Sequence, residues 1–95
     1  DESVAVSAAA VAHAAGAGGN EAAPQDMRTA RDKLQRANVA MTVKDYPLAL
    51  SLAREAQVDA QLAEARALSN KARKAADVLR DDNRVLREEI ERKTK

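Results

Sequence analysis

The sequence predicts an all-α fold: a helical hairpin, open to a third helix at its N-terminus, whose long C-terminal helix extends into a coiled coil. Three observations carry this. The chain has no Phe or Trp and a single Tyr, so the large rings that dominate ordinary cores are missing. Alanine supplies most of the apolar residues instead. It is the best helix former, yet each one buries little area, so its surfaces stabilise a fold mainly where helices lie close along their length. Finally, no Gly or Pro follows Pro47, which leaves nothing to end a helix across the second half of the chain.

The first predicted helix covers residues 3–15 (SVAVSAAAVAHAA), with Val4, Ala8, Val11 and Ala15 as its apolar stripe. Gly16, Gly18, Gly19 and Asn20 end it and form a flexible loop. Pro24 suits the first turn of a second helix, where its missing N–H costs nothing, and Asp26 complements the macrodipole there. Met27, Ala30, Leu34, Ala37 and Met41 then recur at spacings of three and four between charged residues, one apolar stripe on a charged cylinder.

Lys44-Asp45-Tyr46-Pro47 breaks that pattern. A residue before proline is pushed away from helical angles, so Tyr46 is expected at the turn, with Asp45 or Tyr46 as N-cap and Pro47 in the first turn of a third helix. At 1.5 Å per residue that helix extends roughly 70 Å, far beyond what the second helix can cover. The organisation expected is therefore residues 1–23 as a short helix and loop, 24–70 as the hairpin, and 71–95 as a protruding coiled-coil end.

The third helix carries two apolar stripes. Ala49, Ala53, Ala56, Ala60, Ala63 and Ala67, reinforced by Leu52, form a small-residue seam for the Met27–Met41 stripe, folded back through the turn. The second stripe follows a heptad. Leu62, Ser69, Ala76, Asn83 and Ile90 stand at a; Ala65, Ala72, Leu79 and Leu86 stand at d, with Val58 leading in. Its last third lies beyond the reach of the second helix, so it is assigned to a second chain, ahead of a helix from another protein or a solvated tail.

Charges sharpen the geometry. Arg66, Arg73, Arg80 and Arg87 occupy e, while Asp82 and Glu89 occupy g. A parallel pair brings Asp82 toward Arg87 of the other chain; an antiparallel pair sets arginines against arginines. Parallel pairing in register is expected, and Asn83 at an a position favours two strands. The predicted interface is Leu62, Ala65, Ala72, Ala76, Leu79, Asn83, Leu86 and Ile90, flanked by Arg80, Asp82, Arg87 and Glu89.

Catalytic and ligand-binding classes find little support. Without cysteine there is no disulfide, thiolate metal site or Cys nucleophile. His13 is the only histidine, and it stands on an alanine-rich segment without a carboxylate nearby in sequence. Adjacent helix residues point about 100° apart, so Asp81-Asp82 and Glu88-Glu89 read as charged faces rather than acid/base pairs. The serines lack an accompanying base, and Gly16–Gly19 lacks the strand and the Lys-Ser/Thr end of a phosphate loop. No enzyme, cofactor or metal is expected. Lys71-Ala72-Arg73-Lys74 is soon interrupted by Asp77, Asp81 and Asp82, which argues against nucleic-acid binding. A single helix–turn–helix around Asp45-Tyr46 is too little for a tetratricopeptide solenoid. No apolar run approaches the ~20 residues that span a bilayer, and the first residues do not form a signal peptide. The first 24 residues hold Asp1, Glu2 and Glu21 and no Lys or Arg, while the remainder is mixed in charge and mildly basic.

From Lys44-Asp45-Tyr46 through Leu62-Ala63-Glu64-Ala65, the chain resembles an uncharacterised family of Gram-negative envelope lipoproteins. That family is a domain of unknown function with a (G/K)DY…A..LA..A..DA.LA.A core. Ala23-Pro24 and the Ala30–Ala37 helix share the likeness, which covers roughly residues 4–90. The resemblance implies a periplasmic protein, often held by an N-terminal lipidated cysteine and in some relatives fused to an OmpA-like peptidoglycan-binding domain. The chain lacks that cysteine, so lipid anchoring is an expectation for the precursor alone. The alanine zipper and lysine-rich end are also similar to the major murein lipoprotein, whose terminal lysine is linked to peptidoglycan. Arg92-Lys93-Thr94-Lys95 lacks that closing pattern in full. Homo-oligomer formation, with an envelope protein or peptidoglycan as further partner, is what sequence and resemblance together lead one to expect. The other function considered is an adaptor that docks a peptide or helix in the hairpin groove.

Overall fold

The structure, a computed structural model, describes residues 2–94; Asp1 and Lys95, cited above for charge and for the terminal lysine, lie outside the described residues. Four helices follow in order: α1 (Glu2–Gly16), α2 (Gly19–Ala22), α3 (Pro24–Thr42) and α4 (Tyr46–Thr94). α2 is a single turn. The chain runs up α1, down α3 and up again along α4. Parallel passage of α1 and α4 shows in Ser7 meeting Ala53 and His13 meeting Glu64. Antiparallel passage of α3 shows in Asp26 facing Arg66 while Lys33 faces Asp59. The second half of α4 leaves this bundle alone, giving a molecule 78 × 20 × 15 Å.

Alanine determines how the bundle packs. Ala49, Ala53, Ala56, Ala60, Ala63 and Ala67 are all buried, as is Leu52, so the predicted seam closes the hairpin as expected. From α3 it receives Met27, Ala30, Ala37 and Ala40, with Leu34 and Met41 half-buried beside them. Side chains this small let backbones approach closely, and packing density then depends on leaving no room for an extra methylene.

α1 fills the groove between α3 and α4 with Val4, Ser7, Val11 and Ala14. The predicted stripe is therefore half corrected: Ala8 is exposed and Ala15 only partly covered. With alanine at seven of the positions from 5 to 15, apolarity alone does not select a face. The groove instead takes the set spaced three, four and three apart, hydroxyl included. Ser7 Oγ lies 2.8 Å from Ser3 O and also within bonding reach of Ala53 O. Its one proton is shared between two carbonyls, which satisfies a hydroxyl that burial would otherwise penalise.

The expected flexible loop after α1 is a compact turn. Gly18 takes φ 96°, a left-handed angle that suits glycine, and starts α2. Gly19 is buried, and a Cβ there would stand 2.8 Å from Ala14 O and 3.2 Å from Met27 Sδ, so the close approach requires glycine. The α3–α4 turn is equally defined. Lys44 adopts φ 62°, and its N–H bonds to Met41 O at 3.1 Å while that of Asp45 bonds to Ala40 O at 2.8 Å. These two bonds are the Schellman closure of a helix, here with lysine where glycine is usual. Asp45 then caps α4: its carbonyl accepts from Ala49 N at 3.0 Å and its Oδ1 from Leu48 N at 3.3 Å. Tyr46, expected at the turn, is instead the first helical residue, because Asp45 absorbs the change of backbone direction and Pro47 needs no donor in the first turn.

Candidate functional site

Heptad position connects the two faces of α4. In the register that puts Leu62 at a, the buried Ala49, Ala56 and Ala63 stand at b, and Ala53, Ala60 and Ala67 at f. Positions b and f lie on the far side of a helix from a and d. The intrachain seam therefore occupies the back of α4, and the predicted pairing face points away from α1 and α3.

That face is open along its whole length. Leu62, Ala65, Ala72, Ala76 and Asn83 are exposed, and Leu79, Leu86 and Ile90 are 63, 56 and 61% exposed. Val58 and Leu68 are exposed too, the second at a g position that sequence reasoning passed over. Val78 and Val85 lie exposed at c, on the tail's flank. These large apolar side chains recur along one side of the tail, unmet by any other part of the bundle among the described residues.

Flanking charges divide into used and unused groups. Arg80 is paired with Asp77 one turn earlier, Arg92 contacts Glu89 at 3.7 Å, and Arg73 bonds Asn70 at 2.8 Å. Arg66 reaches back to Asp26 at 3.2 Å. Among the described residues Asp82 and Arg87 form no ion pair within the chain. These are the two charges that a parallel register would bring together across chains.

Three polar features were not visible as such in the sequence. Lys33 of α3 sits between two carboxylates of α4, 2.9 Å from Asp59 and 3.5 Å from Glu55. The hydrogen-bonding contact with Asp59 is the main reason its pKa is raised above 10.5, against an opposing effect of burial. His13 Nδ1 lies 2.7 Å from Glu64, tying α1 to α4, and Arg31 bonds Asn20 of α2 at 2.6 Å. Each joins residues far apart in sequence, so only the docking of helices reveals it.

Apolar surface also gathers at the hairpin end. Val39, Val43 and Leu48 are exposed there, and with Arg36, Ala40 and Leu52 they line a shallow groove of about 260 Å³. Among the described residues no group of three or more His, Asp or Glu side chains is placed to hold a metal ion, and no helix is long and apolar enough to cross a membrane.

A family model described as a domain of unknown function (DUF4398) matches residues 2–79. The chain belongs to this family. The DUF4398 match takes in the whole bundle and the first part of the free tail, and ends at the Leu79 position of the exposed stripe. No curated protein and no solved structure matches the chain.

Proposed function

We propose that this DUF4398 protein is a non-enzymatic structural or interaction protein that oligomerises through a parallel coiled coil formed by α4. The observation that carries this is the placement of the two stripes. One is closed within the chain at b and f, and the other, at a and d, is exposed over Leu62–Ile90. Pairing would remove Leu79, Leu86 and Ile90 from water, at about 25 cal/mol per Å² of apolar area covered. It would bring Asp82 and Arg87 of opposite chains together. Asn83 at a would favour two strands over three. A periplasmic site of action, with a lipid anchor in the precursor, rests on the likeness to envelope lipoproteins; an envelope protein or peptidoglycan would then be the further partner.

Sedimentation equilibrium at several concentrations tests the pairing. The chain should behave as a dimer of 10.2 kDa subunits. Leu86→Asp with Ile90→Asp should weaken association by at least a hundredfold, because each charge would be placed in the apolar seam, while helix content stays near that of the parent. A concentration-independent monomer would contradict the proposal. The adaptor function has its own observation, the apolar groove of Arg36, Val39, Ala40, Val43, Leu48 and Leu52. On that account the same double variant would keep partner binding, and Val39→Asp would lose it.

A further inference from the structure

The free stripe does not begin where the tail leaves the bundle. Val58 and Leu62 lie on the outer face of α4 alongside α3, and both are exposed. Extending the heptad one step toward the N-terminus puts Glu55 at a, Arg54 at the preceding g and Asp59 at e. In a parallel coiled coil a g residue meets the e residue five positions later on the other chain. Arg54 of one protomer would thus face Asp59 of its partner, at the opposite end of the seam from Asp82 and Arg87.

The local chemistry is incomplete in a way this contact would complete. Lys33 carries one positive charge between Glu55 and Asp59, leaving that cluster with a net negative charge. Asp59 Oδ2 is shut away from water, with Lys33 as its only partner among the described residues. Arg54 has no carboxylate three or four residues away on its own helix, and it makes no ion pair among the described residues. An open cavity of about 360 Å³ at Val58 is lined by Lys33, Arg54, Glu55 and Asp59.

We infer that the self-association surface reaches back over the bundle, and that Arg54 of each protomer docks onto the Lys33–Glu55–Asp59 cluster of a second copy. The inference rests on the pairing proposed above. Two symmetric charge clamps then fix the near end of the coiled coil, where Val58 and Leu62 are the large apolar residues and Glu55 at a opposes its own copy. They also select parallel over antiparallel alignment, since only the parallel register sets Arg54 against Asp59.

Glu2 is the competing partner, because it shares a cleft of about 240 Å³ with Arg54 on the α1 side. Sedimentation equilibrium of the full chain, in low salt, separates the cases. Arg54→Glu should raise the dimer dissociation constant roughly tenfold, a sum over two exposed charge pairs turned repulsive, while Glu2→Gln changes it less than twofold. Arg54→Gln and Asp59→Asn should each weaken pairing, and the double variant should be no weaker than the worse single one. Arg54→Glu combined with Leu86→Asp and Ile90→Asp reports on the monomer, and should unfold at the same temperature as that monomer without it. Wild-type association unaffected by Arg54→Glu, or additive losses in the cycle, would overturn the clamp and leave pairing standing. A wild-type monomer would overturn both.

Discussion

Lys44 shows how a single residue can oppose the local preference of the chain. It takes φ 62° at the end of α3, where two Schellman bonds close the helix. A side chain at that angle crowds its own carbonyl, and glycine is free of the penalty. Lys44→Gly should therefore stabilise the chain by about 0.5–1 kcal/mol, less whatever glycine's freer unfolded state takes back. Urea unfolding at fixed protein concentration measures this; a loss of stability would mean that the lysine side chain holds the turn in some other way. The Lys-Asp-Tyr-Pro string was informative before the structure was known, because proline and a capping aspartate mark a helix start. The left-handed angle was not visible, since nothing in a lysine announces it.

At the scale of one element, α4 carries two apolar faces on one repeat. Its back is alanine at every b and f position from Ala49 to Ala67, and its front carries the larger residues. This division was legible because both stripes recur every three and four residues, the first almost wholly alanine and the second carrying Leu62, Leu79, Leu86 and Ile90 among its alanines. The face of α1 was not legible for the opposite reason: alanine stands on nearly every side of it, so Ser7 and Ala14 looked no more buried than Ala8 and Ala15. Ala60→Leu and Ala65→Leu test the division by placing the same extra volume on opposite sides of α4. Ala60 has no accessible surface, so its enlargement should cost about 1–3 kcal/mol or more through overpacking. Ala65, exposed at d, should tolerate leucine without loss of bundle stability, and the added apolar area should tighten pairing. Thermal unfolding monitored by circular dichroism, alongside sedimentation, gives both results. Equal destabilisation at the two sites would mean that the faces are not distinct.

For the whole molecule, the elongated shape follows from sequence: a hairpin with one arm more than twice the length of the other must protrude. The α3 and α4 arms span 19 and 49 residues. Polar contacts across the bundle, His13 with Glu64 and Lys33 with Asp59, required the helices to be set side by side before they could be seen. The same holds for the near end of the pairing face, because Arg54 and Asp59 acquire meaning only when the register is carried back over the bundle. The protruding arm is what the proposed pairing would cover. If the a and d positions are its pairing surface, residues far apart along α4 must each meet their own counterparts.

A chain without cysteine makes that directly measurable. Ala65→Cys and Asn83→Cys, prepared as separate single-cysteine proteins, place thiols at a d and an a position roughly 27 Å apart along the helix. In a parallel, in-register pair both thiols lie across the seam from their equivalents, within the Cα separation a disulfide bridges. Mild oxidation at micromolar concentration should convert both proteins to covalent dimers, and reduction should reverse it. An antiparallel pair could bring at most one of the two positions together, so a crosslink at one site alone, or at neither, would contradict the account.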